Sequence, residues 1–282
     1  MPGKTSAFRR AKQGVGAIFP TALKRHLSTV YNRIEEYRAD SNFAPVSIDP
    51  EANPGRDVVL VVVDALRADR VGRDLTSLPK RTTTGEAVAA APWTFPSVTS
   101  LLSGQYPHEH GAMRQSDGAS DATSDEFVLP PALDDDVPTL PKLLGATGYE
   151  TFGAFGFHMP FLALRGHFSN HRLFNDCSCE RLLSEHLDWV ASRSKATFSY
   201  LHLSDLHEPV EPPVEYWEAY DVDADIEDVT GWDYLTPDSS DEADRYREHR
   251  ERLYDAATSY VDDVLAEYVD NLERTLEDPL VV

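Results

Sequence analysis

Cysteine and lysine are both scarce in this chain: there are two and six of them in 282 residues, and no run of 18 apolar residues occurs anywhere. Cys177 and Cys179 lie one residue apart and cannot form a disulfide framework, so a hydrophobic core has to hold the fold. They read as two reduced thiols, with a C-x-C contribution to a metal site as the alternative. With no long apolar run, no transmembrane helix is expected. Lys4, Arg9, Arg10 and Lys12 ahead of GVGAIFPTAL imitate a secretory leader, but two glycines, Pro20 and the Lys24-Arg25 pair break the pattern. A cytoplasmic protein is the resulting expectation.

Positive charge is also sparse, with 26 Lys/Arg against 48 Asp/Glu and a net charge of −22. Residues 1–40 hold eight Lys/Arg and three Asp/Glu, a local +5 that leaves −27 on residues 41–282. Such a body repels phosphate backbones and anionic membranes, which argues against nucleic acid as a partner. It would repel an anionic ester as well, unless a bound cation reversed the local field. An acidic, lysine-poor surface suits a salt-rich medium, where the Debye length falls to about 3 Å at 1 M and self-repulsion is screened. A halophilic, haloarchaeal source is expected on that ground.

The 41% apolar content and the length fit one sizeable α/β domain, and no internal repeat is visible. Residues 1–50 form a basic helical extension and linker, in which Leu23, Leu27, Val30 and Ile34 recur at helical spacing. That helix either packs on the flank of the body or makes a surface contact with anionic lipid or an acidic partner. Val58 to Val63 are six consecutive apolar residues and predict a buried central strand, with Asp64 at its carboxyl end, where ligands bind in open α/β sheets. A helix is expected from about Pro96, with Thr94 just before its unpaired N–H groups. Further expectations are a helix closed by Gly148, a strand from Glu150 to Ala154, a helix over 180–193 and a strand ending near Ser204. Residues 221–244 read as an acidic, exposed excursion. From about 246 to 275, Tyr254, Ala257, Val261, Leu265, Tyr268 and Leu272 keep 3.6-residue spacing, which predicts a long helix. Leu280-Val281-Val282 then begins a strand as the sequence stops, so the domain over 51–282 reads as incomplete. The alternation of elements predicts a central, mostly parallel sheet with helices on both faces.

Three segments together resemble one family. The strand ending in Asp64 is followed by Trp93-Thr94-Phe95-Pro96-Ser97-Val98-Thr99-Ser100-Leu101-Leu102-Ser103-Gly104, then Tyr106-Pro107-His108-Glu109-His110-Gly111, and later by Ser204-Asp205-Leu206-His207-Glu208-Pro209. These are similar, in this order, to segments of the sulfatase/alkaline phosphatase superfamily: Cys/Ser-x-Pro-Ser-Arg-x-x-Leu-Leu-Thr-Gly, Tyr-Pro-x-x-His-Gly and Asp-x-His-x-Pro. The resemblance spans roughly residues 55–282. It implies an alkaline-phosphatase-like fold and metal-dependent hydrolysis of small or polymeric sulfate or phosphate esters. It also implies a divalent cation (calcium, magnesium or zinc) held by Asp64, Thr94 and Asp205, with Thr94 at the nucleophile position.

His207 would contact the ester oxygens, protonate the leaving group or ligate the metal with Asp205; a plain loop imidazole is the alternative. For His108 and His110 a role in the turn is expected rather than catalysis. Four departures shape the reading. Thr94 cannot become the formylglycine of sulfatases, which shifts the chemistry toward phosphoryl transfer. Val98 replaces the motif arginine, and Val63-Asp64 replaces a pair of aspartates. The late Asp-His-Gly segment, expected after a strand beginning at Leu280, does not occur in residues 1–282. A non-catalytic remnant or binding module is therefore the alternative function.

Overall fold

A computed structural model of the chain describes residues 21–44, 46, 55–78, 83–113, 130–134, 136–174, 178–223, 229 and 241–282. In chain order the elements are α1 (Thr21–Ser41), β1 (Val58–Val63), a 3-10 turn (Ala68–Arg70), α2 (Thr94–Ser103), α3 (Pro107–His110) and α4 (Leu140–Ala146). There follow β2 (Glu150–Phe155), α5 (His158–Leu164), β3 (Asn170–Leu173), α6 (Cys179–Ala191), β4 (Thr197–Leu203), α7 (Val214–Ala219), α8 (Asp241–Thr275) and β5 (Leu280–Val281). The sheet has the order β3-β2-β4-β1-β5 with every pair parallel. Cys177, residues 1–20, most of the linker and most of the acidic excursion lie outside the described residues.

Strand periodicity sorts the core into two layers, because successive side chains leave a strand on opposite faces. Val59, Leu201, Leu203, Phe152 and Ala154 pack with α6 and α8 through Leu182, Leu183, Leu253 and Val261. Phe198, Tyr200 and Phe155, joined by half-buried Val58, Leu60 and Val62, pack with Phe95, Val98 and Leu102 of α2 and Phe161 of α5. The sheet is thus covered by helices on both faces, the architecture of alkaline-phosphatase-like domains. β1 and β4 run in register from Val58↔Phe198 to Val63↔Leu203, so their carboxyl ends finish side by side.

Three elements differ from expectation. β3, α5 and α7 give no periodic apolar signal; β3 reads Asn-His-Arg-Leu and is an edge strand. Its open edge is covered by α1, whose side chains take the place of a neighbouring strand. Asn32 Nδ2 donates to the Leu173 carbonyl at 3.2 Å, the Leu173 N–H donates to Glu36 at 2.8 Å, and the His171 N–H donates to Asp40 at 2.7 Å. The polar face of α1 is therefore the inner one, with Asn32 and Glu36 buried. Of the apolar set, Val30 and Ile34 stay 44% and 45% exposed, reversing the usual orientation of an amphipathic helix.

Burial raises the Glu36 carboxyl to about 7, against the opposing pull of the Leu173 N–H and Arg33. The sign follows from linkage: a carboxyl whose pKa is higher in the folded chain favours folding at low pH. It loses that advantage as pH rises from about 4.3 through about 7. Glu36→Gln keeps the acceptor for Leu173 without the ionisation. Its stability in urea is therefore expected to exceed that of the wild type by more at about pH 8 than at about pH 5.

Candidate active site

The ends of β1 and β4 and the start of α2 converge on one carboxylate. The Asp64 N–H still donates to the Leu203 carbonyl at 3.0 Å, extending the strand pairing by one residue, and Ala65 at φ 60° then turns the chain away. Asp64 keeps the parity of Val58, Leu60 and Val62 and so faces the α2 layer. Thr94 opens α2 behind an extended Trp93, one residue inside the helix rather than ahead of it. Pro96 falls in the first turn, where a missing N–H goes unused, and Gly104 closes the helix in the left-handed region. The Thr94 hydroxyl donates to Asp64 Oδ2 at 2.8 Å.

A second group reaches the same oxygen. His202 Nε2 lies 3.1 Å from Asp64 Oδ2, and its Nδ1 lies 2.7 Å from the Tyr200 hydroxyl. Tyr200 and His202 are 0% and 1% exposed, so this is an interior chain of hydrogen bonds. Burial pushes the Asp64 carboxyl up, but the hydrogen bond and charge of His202, the bond from Thr94 and the charge of nearby His207 outweigh it, leaving the carboxyl below its ordinary range. The close fit of β2 against this end of β4 depends on Gly156: its N–H donates to the His202 carbonyl at 2.8 Å, and a Cβ there would stand 2.6 Å from Ser204 Oγ.

His207 lies just beyond β4. Its Nδ1 is 2.9 Å from the Glu208 carbonyl, which can only accept, so Nδ1 carries a proton in this contact. Phe157 lies between the two imidazoles, 5.7 Å from His202 and 5.0 Å from His207. Asp205 is held elsewhere. Its Oδ1 accepts the Cys179 N–H at 2.9 Å at the start of α6, and Oδ2 is buried with no hydrogen-bond partner. This follows the parity of Leu201 and Leu203, whose side chains face the α6–α8 layer. Burial raises the Asp205 carboxyl and pushes the Cys179 thiol far up, so that sulfur is not poised as a thiolate. His110 accepts the Ala112 N–H on Nδ1 at 3.1 Å and meets Ser100 Oγ at 2.9 Å through Nε2, tying the turn after α2 to the helix itself.

The residues predicted from sequence thus divide: Asp64 and Thr94 are hydrogen bonded, His207 stands close enough to act on Asp64 electrostatically, and Asp205 is engaged with α6. His202 and Tyr200 were not singled out. Their signal is a Tyr-x-His pair of one parity at the end of a strand, which acquires meaning only once β4 is set beside β1. The donors at Asp64 are hard oxygens of the kind divalent cations take. Among the described residues, however, no group of three or more His, Cys, Asp or Glu is gathered to hold a metal ion. The chain's own residues fit only part of a metal site.

A mostly parallel sheet with helices on both faces is the architecture of the sulfatase/alkaline phosphatase superfamily. A family model described as Sulfatase matches residues 56–282, and the chain belongs to that family. No match is found among curated protein sequences. Among solved structures, the chain is similar to the C-terminal periplasmic domain of EcEptC from Escherichia coli, in complex with Zn (15% identity, TM-score 0.53, 82% of this chain and 64% of that one). It is also similar to the putative sulfatase yidJ from Bacteroides fragilis (16%, 0.56, 83% and 62%). A third is the C-terminal periplasmic domain of the phosphoethanolamine transferase EptC from Campylobacter jejuni (17%, 0.54, 83% and 68%). Identities this low show a common fold alone. The chain spans less than two thirds of the length of the first two. The expected cytoplasmic setting is corrected here, because structures sharing the fold are periplasmic domains. Acidic composition and the lack of a long apolar run carry no information about compartment, which is why that inference failed.

Proposed function

We propose that the chain carries the nucleophile region of a hydrolase of sulfate or phosphate esters, with Thr94 as nucleophile and Asp64 as a ligand of a divalent cation. The single observation that carries this reading is the 2.8 Å hydrogen bond between the Thr94 hydroxyl and Asp64 at the start of α2. When bound, calcium, magnesium or zinc would supply positive charge for the non-bridging oxygens and would acidify the hydroxyl. Asp64 orients the hydroxyl, and the first-turn N–H groups of α2 favour an anionic group beside it. In a first displacement the Thr94 oxygen bonds to phosphorus or sulfur as the leaving oxygen departs with a proton, for which His207 is the nearby shuttle. Water then attacks the threonine ester, releasing the acid and restoring the hydroxyl. Threonine cannot form formylglycine, so phosphate esters are favoured over sulfate esters.

The test measures turnover of phosphodiesters and aryl sulfates with and without added divalent cations. Turnover that survives Asp64→Asn unchanged would rule out the metal role. A second reading is favoured by the partial donor set: a non-catalytic binding module. It predicts no turnover with any cation, together with retained fold. We further infer a salt-rich setting for the −27 body. Its melting temperature is expected to rise as KCl goes from about 0.1 M to about 1 M, where self-repulsion is screened; a flat or falling curve would contradict this.

A further inference from the structure

The helix α1 lies with its polar side against the body and its apolar side outward. Asn32, Glu36 and Ala39, spaced four and three residues apart, form a buried row, and Asn32 and Glu36 bond to Leu173 at the end of the edge strand β3. Val30, Ile34 and Tyr37 repeat that spacing two residues earlier, which places them about 200° away on a helix that turns about 100° per residue. They are 44%, 45% and 74% exposed. In sequence, Leu23 and Leu27 continue the outer row toward the start of the helix. Single apolar residues on a surface need no explanation, but an aligned apolar row rimmed by charge marks a contact surface.

That rim is basic. Arg33 and Arg38 stand on either side of the row; they pair with Glu36 at 3.4 Å and Glu35 at 2.6 Å, yet their side chains stay 62% and 67% exposed. Their stems can lie along apolar surface while the guanidinium groups reach outward. Charge selects the occupant. Residues 1–40 carry +5 and the remainder −27, so an anionic layer is attracted by this segment and repelled by the rest of the chain, which fixes the face that approaches. A second copy is disfavoured by the same charges, because a helix pair built on this row sets Arg33 and Arg38 against like charge on the other helix. We propose that the outer face of α1 is a docking surface for an anionic lipid layer: Val30, Ile34 and Tyr37 enter the headgroup region, and Arg33 and Arg38 meet the lipid phosphates. The helix lies in the plane of the layer, since none among the described residues is long and apolar enough to cross a membrane. This surface is independent of the chemistry proposed for Asp64 and Thr94.

Co-sedimentation of the full chain with sucrose-loaded vesicles tests it, at about 0.1 M KCl, where charge is little screened. Phosphatidylglycerol vesicles are expected to bind half of the protein at a lipid concentration at least about tenfold lower than phosphatidylcholine vesicles. Val30→Gln with Ile34→Gln is expected to raise that concentration about tenfold or more. Arg33→Gln with Arg38→Gln should raise it by a similar factor, on phosphatidylglycerol alone. Both pairs replace exposed side chains with a good helix former, so near-ultraviolet circular dichroism is expected to stay as in the wild type. No sedimentation with phosphatidylglycerol, equal affinity for the two lipids, or a half-binding concentration indifferent to both pairs overturns the proposal. Binding to polyglutamate but not to vesicles would point instead to an acidic protein partner. A dimer in sedimentation velocity that Val30→Gln with Ile34→Gln dissociates would assign the face to a second copy; either result overturns the lipid assignment.

Discussion

Replacing Thr94 by alanine is expected to lower phosphodiester turnover at least about a thousandfold while leaving the fold in place, because the substitution removes the only oxygen that the proposed first displacement can use. The structural cost is small. Thr94 sits at the first position of α2, alanine suits that position, and one hydrogen bond to a charged acceptor is lost, for about 1.5–3 kcal/mol at most. Asp64 keeps its bond from His202, so its carboxylate is not stranded. Thr94→Ser retains the hydroxyl but not the methyl group that restricts its rotamer, and is expected to stay within about tenfold of wild type. Steady-state rates with near-ultraviolet circular dichroism separate lost chemistry from lost fold.

Asp255→Ala is expected to destabilise the chain by about 3–5 kcal/mol, the usual consequence of removing one partner from a buried ion pair. Asp255 lies on α8 and takes Arg70 Nε at 2.5 Å and Arg73 Nη2 at 2.8 Å; the Arg70 and Asp255 side chains are buried. Its removal leaves the Arg70 guanidinium, among the described residues, with the carboxylates of Asp69 and Asp74 and the face of the Tyr254 ring. The Asp74 carboxyl is itself raised, by burial first and by Asp255 next. Asp262, one further stretch along α8, accepts the Thr76 and Ser77 N–H groups at 2.9 Å each. The two aspartates pin the segment that follows Asp64, so the loss reaches the candidate site through the loop rather than through direct contact. The paired substitution Arg70→Met with Asp255→Leu removes both charges and is expected to recover most of the stability in urea denaturation.

How much of this was legible in the amino-acid order depends on the burial of each element. β4 is buried throughout, β1 is half-buried beside it and α8 buries one face, and all three carry long apolar patterns that show in sequence. Asp64 is placed with them, since a carboxylate ending a six-residue apolar strand has few places to go. β3 is short, polar and at an edge, and its outer neighbour is a helix side chain rather than a second strand, so no periodicity marks it. The helix α1 misleads for a related reason: its inner face is chosen by hydrogen bonds to β3, which outweigh the burial of Val30 and Ile34. The Asp-x-His pair at 205 and 207 reads as one unit in sequence. The chain turns between them, sending Asp205 to the N-terminus of α6 and leaving His207 beside Phe157. His202 was invisible because its role depends on strand register: only the pairing of Val62 with His202 brings the imidazole to the end of the strand that carries Asp64.

The central claim is that Thr94 is the nucleophile, and rapid quench with peptide mass spectrometry tests it most directly. Protein supplied with divalent cation and an excess of phosphodiester, then quenched in acid, is expected to carry the substituted phosphoryl group on Thr94, and the adduct should be missing in Asp64→Asn. Turnover with Thr94 unmodified at every time point, or an adduct on another residue, would contradict the account.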